Sequence, residues 1–449
     1  MPGLEPLTRL FRFISGCVFL VLPLAAAGED LLQVYREAQR YDAAYAAARH
    51  AADAARERLP QGRALLLPTL NLTASATRSR TEVEFRDAAG TQINNRPDSA
   101  GYQLTFSQPI FRRQNWLQYE QAGHQVRQAE AALGQAYQDL IVRAAQAYFD
   151  VLGAQDTLAL VRAQKEAISE QLAQAKRNFE VGTATITDTH EAQARFDQSG
   201  AQEIAALNDL ESKRRALQLL TGKEPGELKP LRTDVRLSPP NPPDMQTWVD
   251  LAEKQSYSVQ IQEANAEVAA LETKRNSAAH LPTLDLVATH GQTGQSATTE
   301  SIVGRDNTST LIGLQLALPL YQGGAISSRE REAAALSMKA REDLENARRN
   351  SALAARQNYL LVSNGIAGVA ALQQALISSQ SALDSNKLGY EVGVRINIDV
   401  LNAQQQLYST ERDLALARYN TILNNLRLKA ASGTLREEDL EEVNRALRL

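Results

Sequence analysis

The chain has 449 residues, a formal net charge of −4 and only 5% aromatic residues. Near-balanced charge excludes a basic nucleic-acid-binding surface. Few aromatics beside abundant Ala, Gln, Leu and Arg argue for long helices rather than a bulky globular core.

The N-terminus reads as an export leader. Arg9 and Arg12 precede an apolar run at 14–24, and "AAAG" follows, so cleavage is expected after Ala27, with residues 1–27 as the signal peptide. The rival reading is lipidation at Cys17, where "ISGC" resembles a lipobox. Cleavage after Ala27 removes the only cysteine, so no disulfide or thiol chemistry is expected of the mature chain. No later stretch reaches about 18 consecutive apolar residues, so a membrane crossing is expected to be made by strands.

Next come period-2 segments. Leu70, Leu72, Ala74 and Ala76 alternate with Asn71, Thr73, Ser75 and Thr77, and Tyr102, Leu104 and Phe106 alternate with Gln103, Thr105 and Ser107. Alternation over about ten residues suits a membrane β-strand, though a half-buried strand of a soluble sheet looks the same locally. From Ile110 to Glu224 there is no proline, and good helix formers dominate. Leu133, Tyr137, Leu140, Ala144, Ala147, Val151, Ala154, Leu158 and Val161 follow steps of four and three; Lys165 interrupts, then Ile168, Leu172, Ala175 and Phe179 resume. A repeat averaging about 3.5 residues predicts a left-handed coiled coil. "VGTATITD" (181–188), with its Gly and β-branched run, predicts the turn, and a second helix returns to about Leu220.

A proline-rich stretch at 225–247 then separates two copies of one pattern. "LPTLNLTA" from Leu67 recurs as "LPTLDLVA" from Leu281, "QLTFSQPIF" from Gln103 as "GLQLALPLY" from Gly313, and "FEVGTATITD" from Phe179 as "YEVGVRINID" from Tyr390. The order is the same in both halves, so the chain is read as a tandem duplication of 28–224 and 248–449, each with a helix, two strands and a long helical hairpin. Four strands cannot close a membrane barrel, since the smallest have about eight. Subunits must therefore pool strands, about eight as a dimer or about twelve as a trimer.

These segments, with "LLQVYREA" from Leu31, "AYFDVL" from Ala147, "LPLYQGG" from Leu318 and "ARYNTILNNLRLKAASGTL" from Ala417, resemble the TolC family of outer-membrane efflux and type I secretion channels over nearly the whole mature chain. The resemblance implies a mainly α protein with a membrane β-barrel: a homotrimer whose β-barrel of about 12 strands continues into a periplasmic α-barrel of about 12 helices. The linker and C-terminal segment would form an equatorial belt. It also implies a passive duct that meets a periplasmic adaptor (membrane fusion) protein and an inner-membrane RND, ABC or MFS transporter, sits in outer-membrane lipid, and uses no cofactor or metal.

By position, the resemblance implies a closing network at the hairpin tips, pairing Asp188 with Tyr390 and Arg395 with Thr187 and Asp188, with Gln171 at a further closure position. Asp188 as a simple helix N-cap is the alternative reading. The family's entrance ring has two acidic residues one turn apart; here they are Asp399 and Asn402, and the matching first-copy position of Asn402 is Glu191. Lys387 replaces a family acid in the closing network. Val181, Gly182, Thr183, Val392, Gly393 and Val394 match the motif offered to the adaptor.

Enzyme readings find little footing. "HEAQA" (190–194) lacks the second histidine of a zinc-protease helix, and "TGKE" from Thr221 lacks the upstream Gly and the hydroxyl residue of a phosphate-binding loop. A structural coiled-coil protein of the cell envelope is the competing class; it leaves the doubled strand pairs without a purpose.

Overall fold

The computed structural model describes residues 28–84, 92–95, 98–232, 235, 237–297 and 303–448. The expected leader, with Cys17 and the cleavage point, lies outside them. The first half opens with α1 (Leu31–Tyr41), α2 (Ala43–Arg56) and α3 (Arg58–Ala64), three helices where one was expected. Asp42 makes the first break: its carboxylate accepts from the amides of Ala44 (2.7 Å) and Tyr45 (3.1 Å), starting a new helix.

Strands β1 (Thr69–Arg78) and β4 (Asp98–Phe111) fall where the alternation predicts them. Between them lies a hairpin of β2 (Thr81–Glu84) and β3 (Gln92–Asn95), which the alternation did not foresee. The chain continues into α4 (Arg113–Glu180) and returns as α5 (Ile186–Thr221). The second half repeats the order with α6 (Met245–Gln255), α7 (Tyr257–Ser277), β5 (Thr283–Gln295), β6 (Arg305–Ala317), α8 (Ala325–Glu391) and α9 (Asn397–Ala431), and ends in α10 (Glu437–Arg445).

The main sheet is antiparallel in the order β1-β4-β5-β6, so β4 and β5, one from each half, pair at its centre. Leu72 faces Leu104, which in turn faces His290. Both outer strands, β1 and β6, have one edge unpaired within the chain. At the base of the sheet Arg112 forks onto Asp285 of β5, with Nε to Oδ1 at 2.8 Å and Nη2 to Oδ2 at 2.6 Å. A register shift between Pro109 and Phe111 bends β4 just before this fork, where strand becomes helix.

Helix α4 has 68 residues and α8 has 67, each about 100 Å long at a rise of about 1.5 Å per residue. Helices α5 and α9 are half that length. They pack on the tip-side portions of α4 and α8, while α7 packs against α4 and α8 nearer the sheet. The expected heptad register is largely the buried one: Leu140, Ala144, Val151, Ala154, Leu158, Ile168, Leu172 and Ala175 are all in the core. Phe179, at its end, is exposed. Lys165, which broke the register, reaches Glu203 of α5 at 2.8 Å, beside Arg162 at 3.0 Å, so the seam switches there from apolar packing to an ion-pair cluster.

Helix α8 has no unbroken run of about 18 apolar residues, but it is apolar on average over a stretch of that length. One 18-residue window there has a mean hydropathy of 1.5, and only 11% of it is buried within the chain. Leu353, Leu360, Leu361 and Ile377 of α8 are exposed. In a single chain the apolar side of a long helix has no second layer to cover it.

The largest core lies at the waist. Leu31, Val34, Tyr35 and Ala38 of α1 pack on Leu140, Ile141, Tyr148, Phe149 and Leu152 of α4, with Leu217 of α5, Leu423 and Leu426 of α9 and Leu440 of α10. The proline-rich segment makes two isolated β-bridges, Leu228 with Glu29 in parallel and Leu231 with Leu447 in antiparallel fashion. Tyr148 Oη donates to the carbonyl of Lys229 at 2.7 Å and to that of Glu29 at 3.2 Å. Phe149 stacks on Tyr419 with centroids 5.3 Å apart, and Tyr419 Oη donates to Asp156 Oδ2 at 2.6 Å.

Burial pushes the Asp156 carboxyl up, against the opposing pull of the Tyr419 hydroxyl and the charge of Arg448. A raised carboxylate costs nothing below the unfolded-state range, and its cost is complete above the folded value, so ionising Asp156 weighs against the fold as pH rises. Tyr419→Phe removes one pull toward the charged form. It is expected to cost about 1–3 kcal/mol near pH 7 and less near pH 4, read as thermal midpoints of the detergent-solubilised protein at both values.

Candidate functional site: the hairpin tips

Both long helices end the same way. Gly182 and Gly393 adopt φ of 80° and 77°, a left-handed conformation that favours glycine. The reversal brings the amide of Thr183 to the carbonyl of Asn178 at 2.8 Å, and that of Val394 to the carbonyl of Gly389 at 2.9 Å, satisfying helix-end carbonyls. Val181, Val392 and Val394 beside these glycines are 73%, 65% and 79% exposed, and Thr183 is exposed too. The six tip residues thus lie together at the free end of each hairpin.

The two tips then diverge. In the first, Thr185 caps α5: its backbone amide and its hydroxyl donate to Asp188 Oδ2 at 2.9 and 2.8 Å, and the Asp188 amide returns a bond to Thr185 Oγ1 at 3.3 Å. This reciprocal box satisfies helix-start donors. Asp188 is therefore the third residue of the helix, and the reading of it as the N-cap is corrected to Thr185. In the second tip, Ile396 occupies the cap position and offers no side-chain acceptor. There Arg395, in the turn before α9, reaches Asp399 in the first turn of that helix, 3.7 Å away. A Cβ on Gly389 would sit 2.7 Å from Arg395 Cγ, so the absent side chain at 389 makes room for the arginine stem.

Within one chain, the expected partners make other bonds. Tyr390 Oη accepts from Asn178 Nδ2 at 3.2 Å, Asp188 is engaged by Thr185, and Arg395 by Asp399. Thr187 is exposed, and Gln171 Oε1 is buried without a hydrogen-bond partner. Asp188 and Arg395 are claimed by partners three or four residues away across the starts of α5 and α9, whereas Tyr390 is claimed by the other hairpin. Glu191 is half-buried, and Lys387 is exposed.

Several residues that the sequence reading passed over belong to the site. Arg195 of α5 donates through Nη1 to Gln405 Oε1 and through Nη2 to Asn402 Oδ1, both at 3.0 Å, crossing from the first hairpin to the second. Asn178 makes the other crossing, to Tyr390. Beneath them Leu401 of α9 packs with Ile168, Leu172, Ala175 and Ala192. Asn397 and Gln404 are buried in α9 beside Val400 and Leu407. Their spacing of seven residues was a readable signal of seam positions; the partners of Asn178 and Arg195 left no local trace. Among the described residues no group of His, Cys, Asp or Glu is arranged to hold a metal ion.

A small antiparallel sheet with both edges open, set on helices about 100 Å long that end in paired tips, defines the subunit of an outer-membrane channel-tunnel. The model of the outer membrane efflux protein family matches residues 34–223 and 248–434. The chain is 34% identical to outer membrane protein TolC of Vibrio cholerae over 98% of its own length and 99% of that protein's. It is 32% identical to the proteases secretion protein PrtF of Dickeya chrysanthemi, over 93% of this chain and 91% of the other. The solved structure of the outer membrane protein VceC of Vibrio cholerae shares the fold, with a TM-score of 0.76 over 90% of this chain and 96% of that one, at 20% identity. The chain belongs to the outer membrane efflux protein family. It is an outer-membrane protein and not an enzyme.

Thr185→Ala removes the box at the start of α5 and is expected to cost about 1 kcal/mol locally. Hydrogen exchange should quicken at the first turn of α5 and stay unchanged at the first turn of α9, which has no side-chain cap.

Proposed function

We propose that the protein is the passive outer-membrane exit duct of an efflux pump, a type I protein secretion system, or both. The observation that carries this reading is the four-stranded sheet with two unpaired edges standing on helices that reach about 100 Å away from it. An open edge is not tolerated against lipid, so β6 of one copy must pair with β1 of the next until the sheet closes. Three copies give a barrel of about twelve strands, and their helices form a tube of about twelve around a continuous lumen. The units 28–224 and 248–449 are then pseudo-equivalent staves, with 225–247 contributing to a belt at the waist. Efflux stands in the description of the family that matches, and secretion in the name of the relative PrtF.

The tips are the gate. Asp188, Thr187, Tyr390, Arg395 and Gln171 form the closing network between neighbouring coiled coils of the assembled trimer, drawing on groups that single-chain contacts occupy only locally. Asp399, Asn402 and Glu191 set the charge at the entrance. Val181, Gly182, Thr183, Val392, Gly393 and Val394 dock a periplasmic adaptor, and an RND, ABC or MFS transporter of the inner membrane supplies the energy.

Single-channel recording in a planar bilayer tests the duct and the gate together. Wild type is expected to show a small, stable conductance that rises sharply in Tyr390→Phe/Arg395→Ser; an unchanged conductance moves the gate elsewhere, and no conductance from a folded trimer removes the duct. Charge reversal at Asp399 or at Glu191 should each weaken cation preference, measured as reversal potential in a salt gradient. No shift at Glu191 would exclude it from the entrance.

A further inference from the structure

We infer that Arg195 is a second closing element of the entrance, a guanidinium clasp between the hairpins whose positive charge also sets ion preference there. The inference rests on the reading of the chain as a duct gated at its tips. Arg195 lies seven residues beyond Asp188 on α5, two turns up from the tip, and points across to α9. Its two terminal nitrogens reach Asn402 and Gln405, which lie three residues apart and so present both amide oxygens on one helix face. A planar fork that spans two acceptors resists sliding and rotation of α9 past α5, which a single point contact does not.

The chemistry of the acceptors matters as much as their placement. Both are neutral amides, so the guanidinium, which stays charged at any working pH, is held without being neutralised. Glu191 stands one turn before Arg195 on the same helix, while the Arg195 hydrogen bonds go to the two amides, and two other acids nearby in the fold are engaged elsewhere. Asp399 lies 3.7 Å from Arg395, and Asp197 accepts from Gln193 at 3.0 Å. Asn402 thus does two things at once: it removes a carboxylate from the entrance and hands its oxygen to a cation. A carboxylate at 402 would convert the clasp into an ion pair and cancel its charge. Where the path is narrow, fixed charge of one sign disfavours ions of that sign, so Arg195 works against cation entry.

Three variants separate the clasp from the charge. Arg195→Gln loses both, Arg195→Lys keeps the charge but not the fork, and Asn402→Asp keeps the fork and neutralises the charge. Arg195 is half-buried and Asn402 exposed, so all three are expected to fold, checked as trimer on a native gel. In planar bilayers, Arg195→Gln and Arg195→Lys should raise occupancy of the high-conductance state about tenfold, the effect expected when a charged hydrogen bond between two states is lost. Asn402→Asp should lower it. In a potassium chloride gradient, reversal potential should move toward cation preference in Arg195→Gln and Asn402→Asp and stay at the wild-type value in Arg195→Lys. Wild-type occupancy and reversal potential in Arg195→Gln would overturn the inference while leaving the duct intact. Absence of conductance in every variant, Tyr390→Phe/Arg395→Ser included, would overturn the duct and the clasp with it.

Discussion

The rest of the molecule depends on the apolar packing at its waist. Helices about 100 Å long cannot share one core along their length, since each presents only a narrow stripe to its neighbours. Around Tyr35, Tyr148, Phe149 and Tyr419 the stripe widens into a true core, where α1, the proline-rich segment and α10 wrap the middle of the long helices. Tyr148 ties this belt down by donating to the carbonyls of Glu29 and Lys229. Sheet and tips extend in opposite directions from this waist, where the largest core joins both halves of the chain.

Duplication produced two hairpins that have since specialised. The first is capped at its tip by Thr185 and Asp188 and has an apolar cluster of Ile168, Leu172, Ala175 and Ala192 behind it. The second has no side-chain cap, and its seam carries Asn397 and Gln404 among Val400, Leu407 and Leu383. Polar residues at seam positions specify register while lowering stability. Both side-chain polar atoms of Asn397 and the Oε1 of Gln404 are buried without a partner in the chain, which lowers it further. The two hairpins are therefore unequal in stability near the tips, where hydrogen bonds of Asn178 to Tyr390 and of Arg195 to Asn402 and Gln405 join them.

Features with short sequence periods were legible. Alternation located β1 and β4, and their recurrence in the second copy located β5 and β6; the 3.5-residue repeat located most of the α4 seam; and the glycines at 182 and 393 located both turns. Features that depend on a distant partner were not. Lys165 read as a flaw in a heptad until Glu203 stood opposite it, and Asn402 read as a lost charge until Arg195 reached it. The hairpin β2–β3 and the breaks at Asp42 and Ser256 were hidden for a different reason: a cap is a single residue and each of these strands only four, too brief to establish a period.

The sequence by itself determined the repeated architecture and its helices, strands and turns, because backbone sterics and hydrophobic periodicity act over a few neighbouring residues and leave their pattern in the order of side chains. Only the tertiary structure decided which strands share the centre of the sheet, where the long helices acquire a core, and which partner each polar side chain takes at the tips. Many of those outcomes join groups more than a hundred residues apart, such as Arg112 with Asp285 and Arg195 with Asn402, and are determined when packing brings donor and acceptor within hydrogen-bonding distance.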